Sequence, residues 1–119
     1  MKREIKNNIT KTNKRFIYTS VLQTISYRIK ENSWLAKIAA KKLRSHAVAL
    51  VLGKTIHLHN TTKEDFLKDE RWVKHELCHV QQFKQHGYVL FVVRYLWECV
   101  NKGYYNNKFE VEARAAEEL

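Results

Sequence analysis

Along the chain the spacing of apolar side chains changes period several times, and each change marks an element. In FIYTSVLQTISYRIK (16–30), Ile17, Val21, Ile25 and Ile29 recur every four residues, a period that predicts an amphipathic helix. WLAKIAAKKLR (34–44) predicts a second helix, with Leu35, Ile38, Ala39 and Leu43 on one stripe and the lysines facing away. Asn32 or Ser33 is placed to cap it. The period then becomes two. HAVALVLGKTIHLHN (46–60) is rich in Val, Leu and Ile, and Gly53-Lys54 fits a two-residue turn, so a β-hairpin is expected. In its second arm Ile56 and Leu58 share one face, and Thr55, His57 and His59 share the other.

Beyond the hairpin the helical period returns. Thr61 or Thr62 can cap a short turn, TKEDFLKDE, whose acidic residues lie near its start, where the helix dipole favours them. A helix over residues 70–86 follows, with Gly87 as its terminator. The next segment, 88–102, ends at Gly103 by the same device. Its VLFVV run is apolar all round, and its length between two glycines favours a buried helix over a strand. Asn106 or Asn107 can cap a last helix, KFEVEARAAEEL. Trp72, Val80, Phe83 and most of 88–100 are expected in the core.

Length and composition fit this reading. A chain of 119 residues forms one domain with a modest core, and 45% apolar residues set aside wholesale disorder. The absence of proline and the presence of only three glycines favour helices with short connections. The expected class is α+β, mostly helical around one short hairpin. Cys78 and Cys99 are too few for a disulfide framework. The N-terminal residues lack the apolar core and cleavage site of a signal peptide. The most apolar run, 88–100, contains Arg94 and Glu98 and falls short of the ~20 residues a membrane span needs. A cytoplasmic location is expected, with peripheral membrane contact left open.

The net charge of +10 is unevenly placed. Residues 1–45 carry 12 basic side chains against Glu4 and Glu31, whereas 46–119 carry ten of each sign. The chain therefore divides into a basic helical segment, 1–45, packed on or preceding a core at 46–119. That segment is either a solvated face or a surface for an anionic membrane or a nucleic acid.

The chemistry is concentrated in HELCH (75–79). On a helix His75 and His79 lie one turn and about 40° apart, close enough to share a metal ion. Two neutral imidazoles suit Zn²⁺ and leave room for a third ligand and a water. Glu76, about 100° from His75, sits beside such an ion, where a carboxylate can take a proton from an attacking water. The third ligand must come from another element. Glu110 and Glu112 on the last helix point about 200° apart, so only one can face the site. A competing use exists, because Asn107 and Glu110 have the spacing of a capping box. A donor for a developing oxyanion could be Tyr104, Tyr105, His57 or His59. His86 shares the face of His75 and His79 but lies about 10 Å along the axis from His79, too far for the same ion. Cys78 reads as a small buried side chain.

HELCHVQQFKQHG followed by FEVEARAAEE resembles the gluzincin HExxH zinc metallopeptidases, and more narrowly the minigluzincins and small bacterial peptidase domains reading HELxHVxQ and then ExEA. The resemblance covers residues 46–119. It implies a zincin-like fold, one Zn²⁺ ion held by His75, His79 and Glu110, and Glu76 as general base in the hydrolysis of a peptide or protein substrate. It also implies that an edge strand of the hairpin aligns that substrate. Glu110, with Ala113 three residues on, matches the ligand position best, although Glu112 with Ala115 also fits Glu-x-x-Ala. One position departs from the pattern. Many gluzincins carry an aspartate four residues after the ligand glutamate, where it orients the first histidine, and here that position is Arg114. The departure leaves a second expectation open: a catalytically silent zinc-binding domain whose basic segment does the work.

Overall fold

The structure, a computed structural model, describes residues 24–119. Its architecture is α+β. In chain order the elements are β1 (Arg28–Lys30), α1 (Trp34–Leu43), β2 (Val48–Leu52), β3 (Thr55–His59), α2 (Lys63–Lys68), α3 (Glu70–His86), α4 (Tyr88–Asn106) and α5 (Lys108–Ala116).

The hairpin forms where the alternating pattern placed it. β2 and β3 pair antiparallel, with Val48 opposite His59 and Leu52 opposite Thr55. Gly53 turns the corner at φ 65°, a conformation that favours glycine, and a Cβ there would crowd the Tyr88 ring at 3.3 Å. The four-residue period at 16–30 ends in a strand where it is described. Residues 16–23 lie outside the described residues, and Arg28–Lys30 is a third strand, parallel to β3, with Ile29 opposite Ile56. A spacing of four is also a multiple of two, so Ile25 and Ile29 share a face in either geometry. Among the described residues the sheet order is β1-β3-β2, which leaves β2 at an edge. The basic segment is thus not separate where it is described, since β1 and α1 both pack against the hairpin.

Ile56, Leu58 and Phe66 are fully enclosed and meet Leu77, Val80 and Phe83 of α3 and Phe109 of α5. This one core holds the sheet, α3 and α5 together. Helix α1 departs from its expected stripe. It buries Ala36 and Ala40, while Ile38 and Leu43 remain half exposed. Small side chains let its backbone sit close to the sheet, which turns the larger ones outward.

Helix α4 is a larger correction. Most of 88–100 was expected in the core, yet Val89, Trp97 and Val100 are 73%, 68% and 83% exposed and only Phe91 and Glu98 are buried. The helix leans on α3 and α5 with one face, and its other face carries the exposed Val89, Val93, Trp97 and Val100. Its regular turns end at Gly103, whose φ of 78° and ψ of 169° break the helix before a last turn at Tyr104–Asn106. Among the described residues, no helix is long and apolar enough to cross a membrane.

Candidate metal centre

Three local devices fix the geometry of the site. Asp69 caps α3 by accepting from Trp72 N–H, which starts the helix that carries His75, Glu76 and His79. Asn107, fully buried, caps α5 by accepting from Phe109 N–H at 2.9 Å. Glu98 of α4 accepts the neighbouring Lys108 N–H at 2.9 Å, so two side chains together set the start of α5. The capping-box alternative for Glu110 is not adopted. Asn107 N–H bonds to Tyr104 O, and the Glu110 carboxylate turns to the histidines instead.

Helices α3 and α5 meet through Cys78, Ala113 and Ala116, a contact of small side chains that lets the two backbones come close. Across it, Glu110 Oε1 lies 3.1 Å from both His75 Nε2 and His79 Nε2, and Oε2 is 3.1 Å from His79 Nε2. One donor atom from each of these three residues falls within 4.8 Å of the others. Glu112 points elsewhere, exposed to solvent, with Cys78 Sγ at 3.8 Å.

Each imidazole has a second partner on Nδ1. His79 Nδ1 is 2.8 Å from Gln82 Oε1, and Gln82 is itself anchored by donating to Phe109 O at 3.1 Å. His75 Nδ1 is 3.1 Å from Glu117 Oε2. The Tyr95 hydroxyl donates to Glu110 Oε2 at 3.1 Å, and the Trp72 indole donates to Glu76. None of these four supports (Gln82, Glu117, Tyr95, Trp72) was picked out as such in the sequence. Gln82 and Trp72 carried a signal, since they stand three residues after His79 and four before Glu76, on neighbouring helical positions. Tyr95 and Glu117 belong to other elements, and only tertiary packing brings them in.

Mutual contact shifts the ionisation of the group. Burial alone would lower the His75 pKa, but bonds to Glu110 and Glu117 and the nearby Glu76 charge outweigh it and raise it to about 9. His79 also moves up, against its burial, through Glu110, the nearby Glu76 charge and the bond to Gln82. Glu110 is pushed well below the ordinary carboxylate range, because the two imidazoles overcome the effect of burial. Glu76 moves the other way. Its burial raises it to about 7 despite the pull of His79 and His75.

The cluster lies on the wall of a cleft that follows β2. A cavity of about 240 Å³ on one side is lined by apolar groups of α3 and α4, among them Phe83, Phe91, Val92 and Leu96. A second, of about 460 Å³, continues past Asp69, Arg71 and Glu117. His75, Glu76 and Tyr104 border both. Of the oxyanion candidates, Tyr104 hydrogen-bonds Glu110, whereas Tyr105 lies under the Arg114 guanidinium, 4.0 Å from ring centroid to Cζ. His57 is buried against Ser33 Oγ at 2.8 Å, and neither it nor His59 borders these cavities. His86 packs on Phe91 and Phe109 and contacts Arg94.

Fold and site together define a small α+β domain in which an HExxH helix faces a glutamate-bearing helix across an open cleft. The sequence model of the eCIS core domain matches residues 26–87, more than half of the chain, and the chain belongs to that family. The matched stretch runs from β1 to the end of α3. It includes His75, Glu76 and His79 and stops short of Glu110. No curated protein and no solved structure matches the chain.

Proposed function

We propose that the chain is a zinc-dependent peptidase acting on extended polypeptide. The observation that carries this reading is the convergence of His75 Nε2, His79 Nε2 and a Glu110 oxygen at one point of the cleft, with buried Glu76 alongside. The donor set fits the ion. Ligand bonds of about 2.0–2.2 Å in a tetrahedral shell place neighbouring donors roughly 3.3–3.6 Å apart, close to the 3.1 Å between Glu110 and each ring. Two imidazoles and one carboxylate also leave a coordination position open, the usual provision for catalytic zinc.

Bound by His75, His79 and Glu110, zinc would supply Lewis acidity to a water and to the peptide carbonyl. The rest falls to the chain's own residues. Glu76 takes the proton of the attacking water and returns it to the leaving amine, two transfers open to a buried carboxyl beside the three ligands. The Tyr104 hydroxyl, bonded to Glu110 and bordering both cavities, is placed to turn toward a developing oxyanion. Among the described residues β2 pairs only with β3, so its free side can align an extended substrate by main-chain hydrogen bonds. The apolar cavity beyond Phe83 and Phe91 then receives a large apolar side chain next to the scissile bond.

The test is zinc content and cleavage of an unfolded protein substrate by the full chain and by Glu76→Gln. One bound zinc in both proteins, with cleavage reduced about 100-fold or more in the variant, supports the reading. Cleavage that survives Glu76→Gln, or a wild-type chain that holds no zinc, overturns it.

A further inference from the structure

We propose that Glu117 is the positioning residue for His75, doing from the next position on the α5 stripe what Arg114 cannot. The inference rests on the zinc reading above. Positions 110, 114 and 117 follow the i, i+4, i+7 rule and so share one face of the helix toward α3. An acceptor for the Nδ1–H of His75 can stand at either of the last two.

Arg114 is committed elsewhere. Its guanidinium donates to Tyr105 O and covers the Tyr105 ring, which ties α5 to the turn after Gly103 and holds the neighbouring Tyr104 at the cleft. Glu117 stands one residue past the end of α5 and keeps helical geometry. It closes the helix at φ −60° and ψ −25°, and its N–H bonds to Arg114 O. This direction brings Oε2 to 3.1 Å from His75 Nδ1.

The carboxylate is held from its other side. Glu117 Oε1 is 3.7 Å from Arg71 Nε, Glu118 Oε1 is 2.6 Å from the other end of the same guanidinium, and Lys74 Nζ donates to Leu119 O. Arg71, Lys74 and His75 lie on one side of α3, so the 117–119 turn runs along the helix that bears the histidines. Glu117 is only 22% exposed, in contrast to 69% for Glu118. With an ion on Nε2, a carboxylate on Nδ1–H selects the tautomer whose Nε2 lone pair faces the ion, fixes the ring plane and raises the basicity of the ligating nitrogen.

The test is zinc affinity of the full chain, measured by competition with a chromophoric chelator, and the absorption spectrum of the Co²⁺ form. Glu117→Ala should lose about 10- to 100-fold in affinity and change the Co²⁺ spectrum. Glu117→Gln, which keeps an acceptor oxygen, should recover part of the loss. Glu118→Gln removes the charge from the exposed tether to Arg71 without touching His75 and should stay within twofold of wild type. Equal losses in Glu117→Ala and Glu118→Gln would reduce Glu117 to an anchor for its turn and overturn the proposal. So would wild-type affinity in Glu117→Ala when the wild type binds one ion, and in that case the zinc reading stands. A wild type that binds no zinc removes both. If Glu117→Ala does not fold, Glu117→Gln against Glu118→Gln carries the same comparison.

Discussion

Replacing Glu110 by glutamine tests the centre most directly, because that carboxylate joins both histidines to a third helix. It is 2% exposed and accepts from His75, His79 and Tyr95, each at 3.1 Å. An amide keeps one acceptor oxygen but turns an NH₂ toward donors it cannot serve. At least one charge-assisted hydrogen bond is lost, roughly 1.5–3 kcal/mol. For a chain of this length that lowers the melting temperature of the metal-free protein by about 6–12 °C. The effect on zinc is larger. Apparent binding energies of about 10–16 kcal/mol shared over four ligands give roughly 3 kcal/mol for each, or on the order of 100-fold in Kd. Glu112→Gln is the matched control: same helix, same charge change, two residues away and exposed. Thermal melts in chelator and zinc competition titrations at neutral pH read both quantities. A loss of zinc affinity in Glu112→Gln equal to that in Glu110→Gln, or none in either, would refute the assignment.

Two further outcomes follow from the same contacts. Asn107→Ala removes the Phe109 cap and the bonds to Tyr95 O and Cys99 Sγ, and should cost about 2 kcal/mol. Because Glu110 rides on the first turn of α5, zinc affinity should fall with it, and an unchanged melting temperature would refute the cap's role. In chelator, stability should decline from about pH 5 to pH 9. His75 rises from 6.5 to about 9, so its contribution is whole below 6.5 and lost as pH climbs through 9. Glu76 rises from 4.5 to about 7, so its protonated form favours the fold and that contribution is lost between those values. Glu110 is depressed and acts oppositely, which confines its loss to acid. A melting temperature that increases from pH 6 to 9 would contradict these shifts.

Much of the fold could be read along the chain because its elements are marked locally. Gly53, Gly87 and Gly103 fall at the ends of the segments they were expected to end, and Asp69, Thr62 and Asn107 start helices with side chains only a few residues from the N–H groups they serve. The hairpin followed from alternation over ten paired residues. Two expectations went astray for a shared reason. Ile25 and Ile29 fit both periods, and VLFVV is apolar on every side, so neither pattern says which surface has a partner. Strand β1 forms because β3 offers it an edge, and α4 stays half bare because one face alone meets α3 and α5.

The site divides in the same way. Sequence by itself determined that His75 and His79 sit one turn apart with Glu76 between them, since helix geometry converts spacing into direction without help from the rest of the chain. Whether Glu110 capped its own helix or crossed to the histidines was decided only by tertiary structure. Cys78, Ala113 and Ala116 are small enough to bring α3 and α5 together, and the Asn107 N–H that a capping-box Glu110 would take already bonds to Tyr104 O. The supports from Tyr95 and Glu117 are of the same kind, contacts fifteen and forty-two residues apart that no local period encodes.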